Sequence, residues 1–330
     1  MADARPKAAP RETLAARETQ VDRRAFLKTA GGVALALPAA LAWMQNGVEL
    51  QAAPVPKALR FAGLWRSGDG SRQVLTPPLL MQDYIARRRA LADQGLAART
   101  MAVCRTVSGE YYVGVFEPTP EHRSVTHLMA GTWEQFAARD KELFDTGYRV
   151  SDIALSIAPK DARQVRYTAI WRKGLGTGAQ WTTPAREWGA FAADAKVKFD
   201  QGLRLAALDA INVLADVQKG TQKALFTGTW RSGLGTGALY VIPPGDGPAY
   251  HDQYMKHFNN GLRSVAFRAF TLNGQTPIYT GVVSGDIGQG GERSGVAQPW
   301  DAFAAEHASR VKDGMRLVDV AMYREFTIID

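Results

Sequence analysis

Residues 188–204 read WGAFAADAKVKFDQGLR, and the architecture follows from this stretch. Trp188, Phe191 and Phe199 fall near whole helical turns and form one apolar stripe, as on an amphipathic helix. Gly202 follows the last periodic residue, where glycine caps a helix because it enters left-handed backbone without a Cβ penalty. The same arrangement recurs at Gly95, Gly147, Gly261 and Gly314, with spacings of 52, 55, 59 and 53 residues across the set. Eleven residues before each glycine stands an aromatic: Tyr84, Phe136, Phe191, Tyr250 and Phe303. Three before each glycine stand Ala92, Phe144, Phe199, Phe258 and Val311, which the stripe assigns to the core.

Each glycine leads into a strand-like segment such as Leu205 to Val213, then a polar turn and a second strand. That second strand carries a tight signature, Phe61-Ala62-Gly63-Leu64-Trp65, which recurs at 112–116, 167–171, 226–230 and 279–283. Period-two alternation puts its first, third and fifth residues on one face. The middle one is small each time (Gly63, Gly114, Ala169, Gly228, Gly281), leaving a socket that the helix aromatic is predicted to fill. The expected class is α+β: five tandem strand-hairpin-plus-helix repeats with antiparallel strands, in one domain over 54–330. The units run about 57–108, 109–162, 163–220, 221–274 and 275–326. The first unit begins with an unpartnered second-type strand at Leu59 to Arg66, and the last ends with an unpartnered first-type strand at Leu317 to Phe326. Pairing them would close a ring, as in a propeller, whereas separate capping would leave an open array. A large distance between Phe61 and Tyr323 would exclude the ring.

Residues 1–53 read as an export signal. Arg23-Arg24 precede Phe26-Leu27-Lys28 and an apolar stretch from Ala30 to Met44 that Gly31, Gly32 and Pro38 interrupt. Paired arginines in this setting resemble the twin-arginine signal, implying passage through the twin-arginine translocase to a periplasmic or secreted location without a permanent membrane anchor. The net charge is +8; residues 1–53 hold seven Lys/Arg and five Asp/Glu, so the remainder carries about +6. Those charges are scattered, which argues against a nucleic-acid partner. The single cysteine, Cys104, excludes an internal disulfide framework and reads as a small buried hydrophobe.

The aromatic-x-small-x-Trp strand (Tyr167-Thr168-Ala169-Ile170-Trp171) and the helix ending in Gly-Leu-Arg or Gly-Tyr-Arg resemble the bacterial tandem repeat family found beside the serine-hydrolase domain of polyglycine hydrolases. The resemblance covers nearly all of the chain after residue 53. It implies an accessory or recognition role, because such relatives carry their chemistry in a separate β-lactamase-like domain that this chain lacks. One departure lies seven residues before the glycine: Arg88, Asp140, Ala195, Tyr254 and His307 stand where such repeats carry a bulky apolar residue.

No catalytic constellation stands out. Ser309-x-x-Lys312 matches a β-lactamase-type nucleophile motif but has no companion motif in the chain. The histidines lack a metal-ligand spacing, so no metal is expected, and no cofactor is indicated. Trp171 to Ala179 and Trp230 to Ala238 share Trp-Arg-x-Gly-Leu-Gly-Thr-Gly-Ala, read as a tight turn, with Arg172 and Arg231 placed to hold an acidic group. Arg88, Asp140, Tyr254 and His307 are either buried hydrogen-bonding groups, partnered by Asp152, Asp209, Arg268 and Asp319, or the wall of a ligand pocket. Trp65, Trp171 and Trp230 are either core or a binding surface. The leading expectation is a non-catalytic binding protein for a peptide, glycan or envelope component. A hydrolase with a site assembled across repeats and a scaffold for another exported protein are the alternatives.

Overall fold

The computed structural model describes residues 55–68, 71–119, 125–216, 218–272, 276–288 and 290–325. The export motif at Arg23, Arg24, Phe26, Leu27 and Lys28 lies outside them. Among the described residues no helix is long and apolar enough to cross a membrane.

Among the described residues the first element is strand β1 (Leu59–Ser67), whose sheet partners come last in sequence. The first blade comprises β2 (Val74–Leu75), β3 (Leu79–Leu80), helix α1 (Met81–Ala92), β4 (Leu96–Thr106) and β5 (Gly109–Pro118). The second is β6 (Val125–Gly131), α2 (Trp133–Asp145), β7 (Arg149–Ala158) and β8 (Asp161–Arg172). The third is β9 (Gln180–Thr182), α3 (Trp188–Asp200), β10 (Arg204–Asp216) and β11 (Thr221–Arg231). The fourth is β12 (Leu239–Gly245), α4 (Gly247–Asn259), β13 (Arg263–Phe270) and β14 (Ile278–Ser284). The fifth joins β15 (Glu292–Ser294), α5 (Trp300–Lys312) and β16 (Met315–Arg324) to β1.

Every pairing is antiparallel, and each blade runs short outer strand, helix, inner strand, middle strand. Sequence units and blades are therefore offset. The boundary near residue 108 cuts the β4–β5 hairpin, and an outer strand joins each predicted hairpin. The two orphan strands do pair, with Arg60 opposite Tyr323 and Phe61 opposite Met322. The five sheets remain separate, but inner strands β4, β7, β10, β13 and β16 pack on one another in that order, and β16 packs against β4. The series returns on itself as a ring.

The predicted socket is filled in each blade. Tyr84 lies 5.4 Å from Tyr112, Phe136 5.4 Å from Trp171, Phe191 5.5 Å from Trp230, Tyr250 6.0 Å from Tyr279 and Phe303 5.6 Å from Trp65, between ring centroids. The small residue is required sterically: a Cβ on Gly228 would stand 3.1 Å from Phe191 and 2.7 Å from Leu205. The helix position three before the glycine is not core as expected. Val311 is exposed, and Phe144, Phe199 and Phe258 are half-buried under arginines, with the Arg149, Arg204 and Arg263 guanidinium carbons 3.7, 4.2 and 3.8 Å from the ring centroids. Nη1 of Arg149 and of Arg263 also donates to the carbonyl of that phenylalanine at 3.1 Å. The Gly-x-Arg signature is thus a helix C-terminus capped by a cation, which its dipole favours.

Candidate functional site

The inner strands meet at the axis, and each contributes one polar side chain. Arg268 of β13 donates through Nε to Asp209 of β10 (2.7 Å), through Nη1 to Asp319 of β16 (2.5 Å) and through Nη2 to Asp152 of β7 (3.2 Å). The Thr100 hydroxyl of β4 lies 2.8 Å from Asp152 and 3.0 Å from Asp319 and shares its one proton between the two carboxylates. All five are buried. The carboxylates also accept the backbone N–H of neighbouring inner strands, Asp152 from Met101, Asp209 from Leu155 and Asp319 from Phe267. The ring leaves these inner edges without a further strand, and the aspartates satisfy them. Burial raises Asp209 to about 6 and Asp152 to about 7 against the opposing pull of Arg268. Burial draws the Arg268 guanidinium down, but Asp319, Asp209 and Asp152 outweigh it and hold the group well above its ordinary value. These residues had been offered as partners for the polar helix positions; they partner one another instead.

Above this hub lies a cavity of about 70 Å³ whose wall includes residues of all five blades. Asp209 and Arg268 line it together with apolar groups such as Met101, Leu155 and Val213, and Arg105 and Arg324 also line it. Among the described residues neither Arg105 nor Arg324 has an ion-pair partner. Cys104 is half-buried beside them, its thiol pushed up to about 12 by burial.

The polar helix positions do not converge on one pocket. Asp140, Tyr254 and Arg88 each reach a residue of the next blade, whereas His307 meets Trp65 within its own. Asp140 accepts from Trp171 Nε1 (2.7 Å) and Gln180 Nε2 (2.8 Å). His307 accepts from Trp65 Nε1 (3.3 Å), and burial lowers its imidazole to about 4. Tyr254 donates to Glu292 (3.0 Å). Arg88 contacts the imidazole of His127, which burial and the nearby Arg88 and Arg172 hold well below its ordinary value. In the third blade Ala195 takes this position, and Trp230 Nε1 is buried without a partner.

Trp65, Trp171 and Trp230 are at most 1% exposed, so they are core and cannot form a ligand-facing groove. The arginine after each reaches inward: Arg172 to the Ala98 carbonyl, and Arg66 to the Ser264 carbonyl and Glu292. Arg231, at the same position, is buried. The repeated glycine loops cross closely over the following blade. Gly174, Gly176, Gly233 and Gly235 have positive φ, and a Cβ on Gly237 would stand 2.7 Å from Asp286, which accepts from the Gly237 N–H. Their likeness is thus steric. Two aromatics not singled out from sequence are exposed at equivalent outer-strand positions: Trp181, 52% exposed with Lys198 Nζ 4.0 Å from its centroid, and Tyr240, 49% exposed and stacked 4.5 Å from His257. Among the described residues no group of His, Cys, Asp and Glu is arranged to hold a metal ion. Ser309 and Lys312 lie exposed on α5.

A family model for a polyglycine hydrolase-like structural repeat matches residues 132–174. This span runs from the α2 capping residue Thr132 through β7 and β8 to the glycine turn, most of one blade. The chain therefore carries a repeat of this kind, as its strand and helix-end signatures indicated. No curated protein matches the chain.

Proposed function

We propose that this protein is an exported, non-catalytic binding module that receives the carboxy-terminal end of a peptide at its axial cavity. The observation that carries this reading is the cavity itself: a partly apolar wall, a volume near that of a small side chain, and a lining that includes Arg105 and Arg324, neither ion-paired among the described residues. A free carboxylate suits paired arginine forks, while the last side chain would enter the apolar space. Asp209 is poorly placed for catalysis, because its oxygens are taken by Arg268 and the Leu155 N–H. Pairing of β1 with β16 also removes the open sheet edge on which a scaffold role would depend. A glycan is the second reading, favoured by the exposed rings of Trp181 and Tyr240. Export rests on Arg23-Arg24-Ala25-Phe26-Leu27-Lys28, and replacing both arginines by lysine should retain the protein in the cytoplasm.

Binding of the chain from residue 54 to immobilised peptides, with free or amidated ends, tests the peptide reading. Free ends should bind, amidated ends should not, and Arg105→Ala with Arg324→Ala should weaken binding by roughly tenfold or more. Equal binding of both peptide forms, or an unaffected double variant, would overturn it.

A further inference from the structure

One outer-strand position can be followed through all five blades, because the register sets it opposite the last residue of the strand signature. It holds Val74, Thr126, Trp181, Tyr240 and Arg293 in turn. The helix position four before the glycine changes along with it. In the first two blades that position is Leu91 or Leu143, and both are buried. In the third and fourth it is Lys198 or His257, and each lies against the aromatic ring, Lys198 Nζ 4.0 Å from the Trp181 centroid and the His257 ring 4.5 Å from that of Tyr240. Each ring is therefore held from one side while about half of its residue stays open to solvent. The helix residue fixes the orientation of the ring and leaves the opposite face to a partner.

The two rings belong to adjoining surfaces. Helix α3, which carries Lys198, packs against β12 of the next blade, which carries Tyr240. Leu239 and Val241, on either side of Tyr240, join the core of Phe191 and Trp230 in the third blade. Two lysines border the rings. Among the described residues neither Lys198 nor Lys256 has an ion-pair partner, and Lys198 donates to Gln201 Oε1 (3.3 Å). Burial and Lys256 hold His257 below its ordinary value, so at neutral pH the positive charge here is carried by the lysines.

An aromatic face is electron-rich and attracts polarised C–H groups, which cover the flat faces of pyranose rings. Ammonium groups beside the rings complement carboxylates. An apolar peptide would use the rings and leave the charges unanswered, whereas a sugar acid uses both. We infer that β9 and β12, with the ends of α3 and α4, form two platforms for an acidic polysaccharide, its sugar rings stacked on Trp181 and Tyr240 and its carboxylates held by Lys198 and Lys256. This rests on the glycan reading above and places the glycan away from the axial cavity, so it does not depend on the peptide.

Binding of the full chain to immobilised polygalacturonate, alginate and hyaluronate tests this at about 0.15 M ionic strength. Dextran serves as a neutral polysaccharide and polyglutamate as a carboxylate chain without sugars. At least one of the three acidic polysaccharides should bind, and neither control should. Trp181→Ala with Tyr240→Ala should weaken binding by roughly tenfold or more. Lys198→Gln with Lys256→Gln should weaken it several-fold. Lys160→Gln with Lys219→Gln, which removes equal charge at exposed hairpin turns, should leave it unchanged. Failure of all three polysaccharides to bind, equal binding of dextran or polyglutamate, an unaffected ring variant, or an equal loss in the hairpin-turn variant would each overturn the inference. Both rings are exposed, so the ring variant should keep the parent's unfolding midpoint. Should it fail to fold, Trp181→Ala and Tyr240→Ala taken singly decide the matter, since each should weaken binding. A chain that ignores free-ended peptides can still pass this test, and one that binds them can still fail it.

Discussion

Replacing Asp209 by asparagine separates its ionisation from its hydrogen bonding. In the folded protein burial raises Asp209 from 3.8 to about 6, so between those values the folded chain retains a proton that the unfolded chain has lost. The stability this group contributes is fully present below pH 3.8 and is lost as pH rises through about 6. The span of about 2.2 units corresponds to about 3 kcal/mol at 1.36 kcal/mol per unit. That is a large share of the roughly 5–15 kcal/mol that holds a typical domain folded. The fall is obscured in the parent chain alone, because His127 and His307 are lowered and contribute in the opposite direction over an overlapping range. The difference between parent and Asp209→Asn cancels them. Asparagine cannot ionise and so never forms the ion pair with Arg268, and the informative quantity is how the difference in stability changes with pH. Measured by urea denaturation, the parent's advantage should shrink by about 3 kcal/mol between about pH 4 and about pH 7. A constant difference, or one that grows toward neutral pH, would refute the assignment of a protonated Asp209 at the hub.

Gly228→Ala should cost about 1–3 kcal/mol by overpacking against Leu205, Trp230 and Phe191, as denaturant midpoints would show. A neutral result would mean that the socket has slack. Asp140→Ala should cost about 1–3 kcal/mol, since it strands the buried indole N–H of Trp171 and the amide of Gln180. Near-UV circular dichroism would report any loosening of Trp171 in the same variant, and unchanged stability would show that water replaces the carboxylate.

The sockets were legible in the sequence because they rest on two fixed offsets, eleven residues before the glycine and a small residue between bulky ones. Contacts within one blade follow from such short-range spacing. The outer strands were not legible: β9 is three residues long and β2 two, too short to show alternation, and the seven-residue β6 and β12 are interrupted by shifts in register. The polar helix positions were recognised as unusual but misassigned, because partners of three of them come from the next blade. Asp140 meets Gln180, and Tyr254 meets Glu292, only once the offset between sequence unit and blade is known. The axial hub left a fainter trace, one charged residue amid the apolar run of each of four inner strands, at Asp152, Asp209, Arg268 and Asp319. Its convergence needed closure, which the order of elements left open.

Strand β1 is the first of the fold to leave the ribosome, yet its partners β15 and β16 are the last to be synthesised. Until they emerge, Trp65 has neither the Phe303 ring nor the His307 imidazole to cover it. A prematurely terminated product would therefore display an uncovered indole at its amino-terminal end. The finished chain hides that same group completely, so one residue distinguishes full-length molecules from fragments.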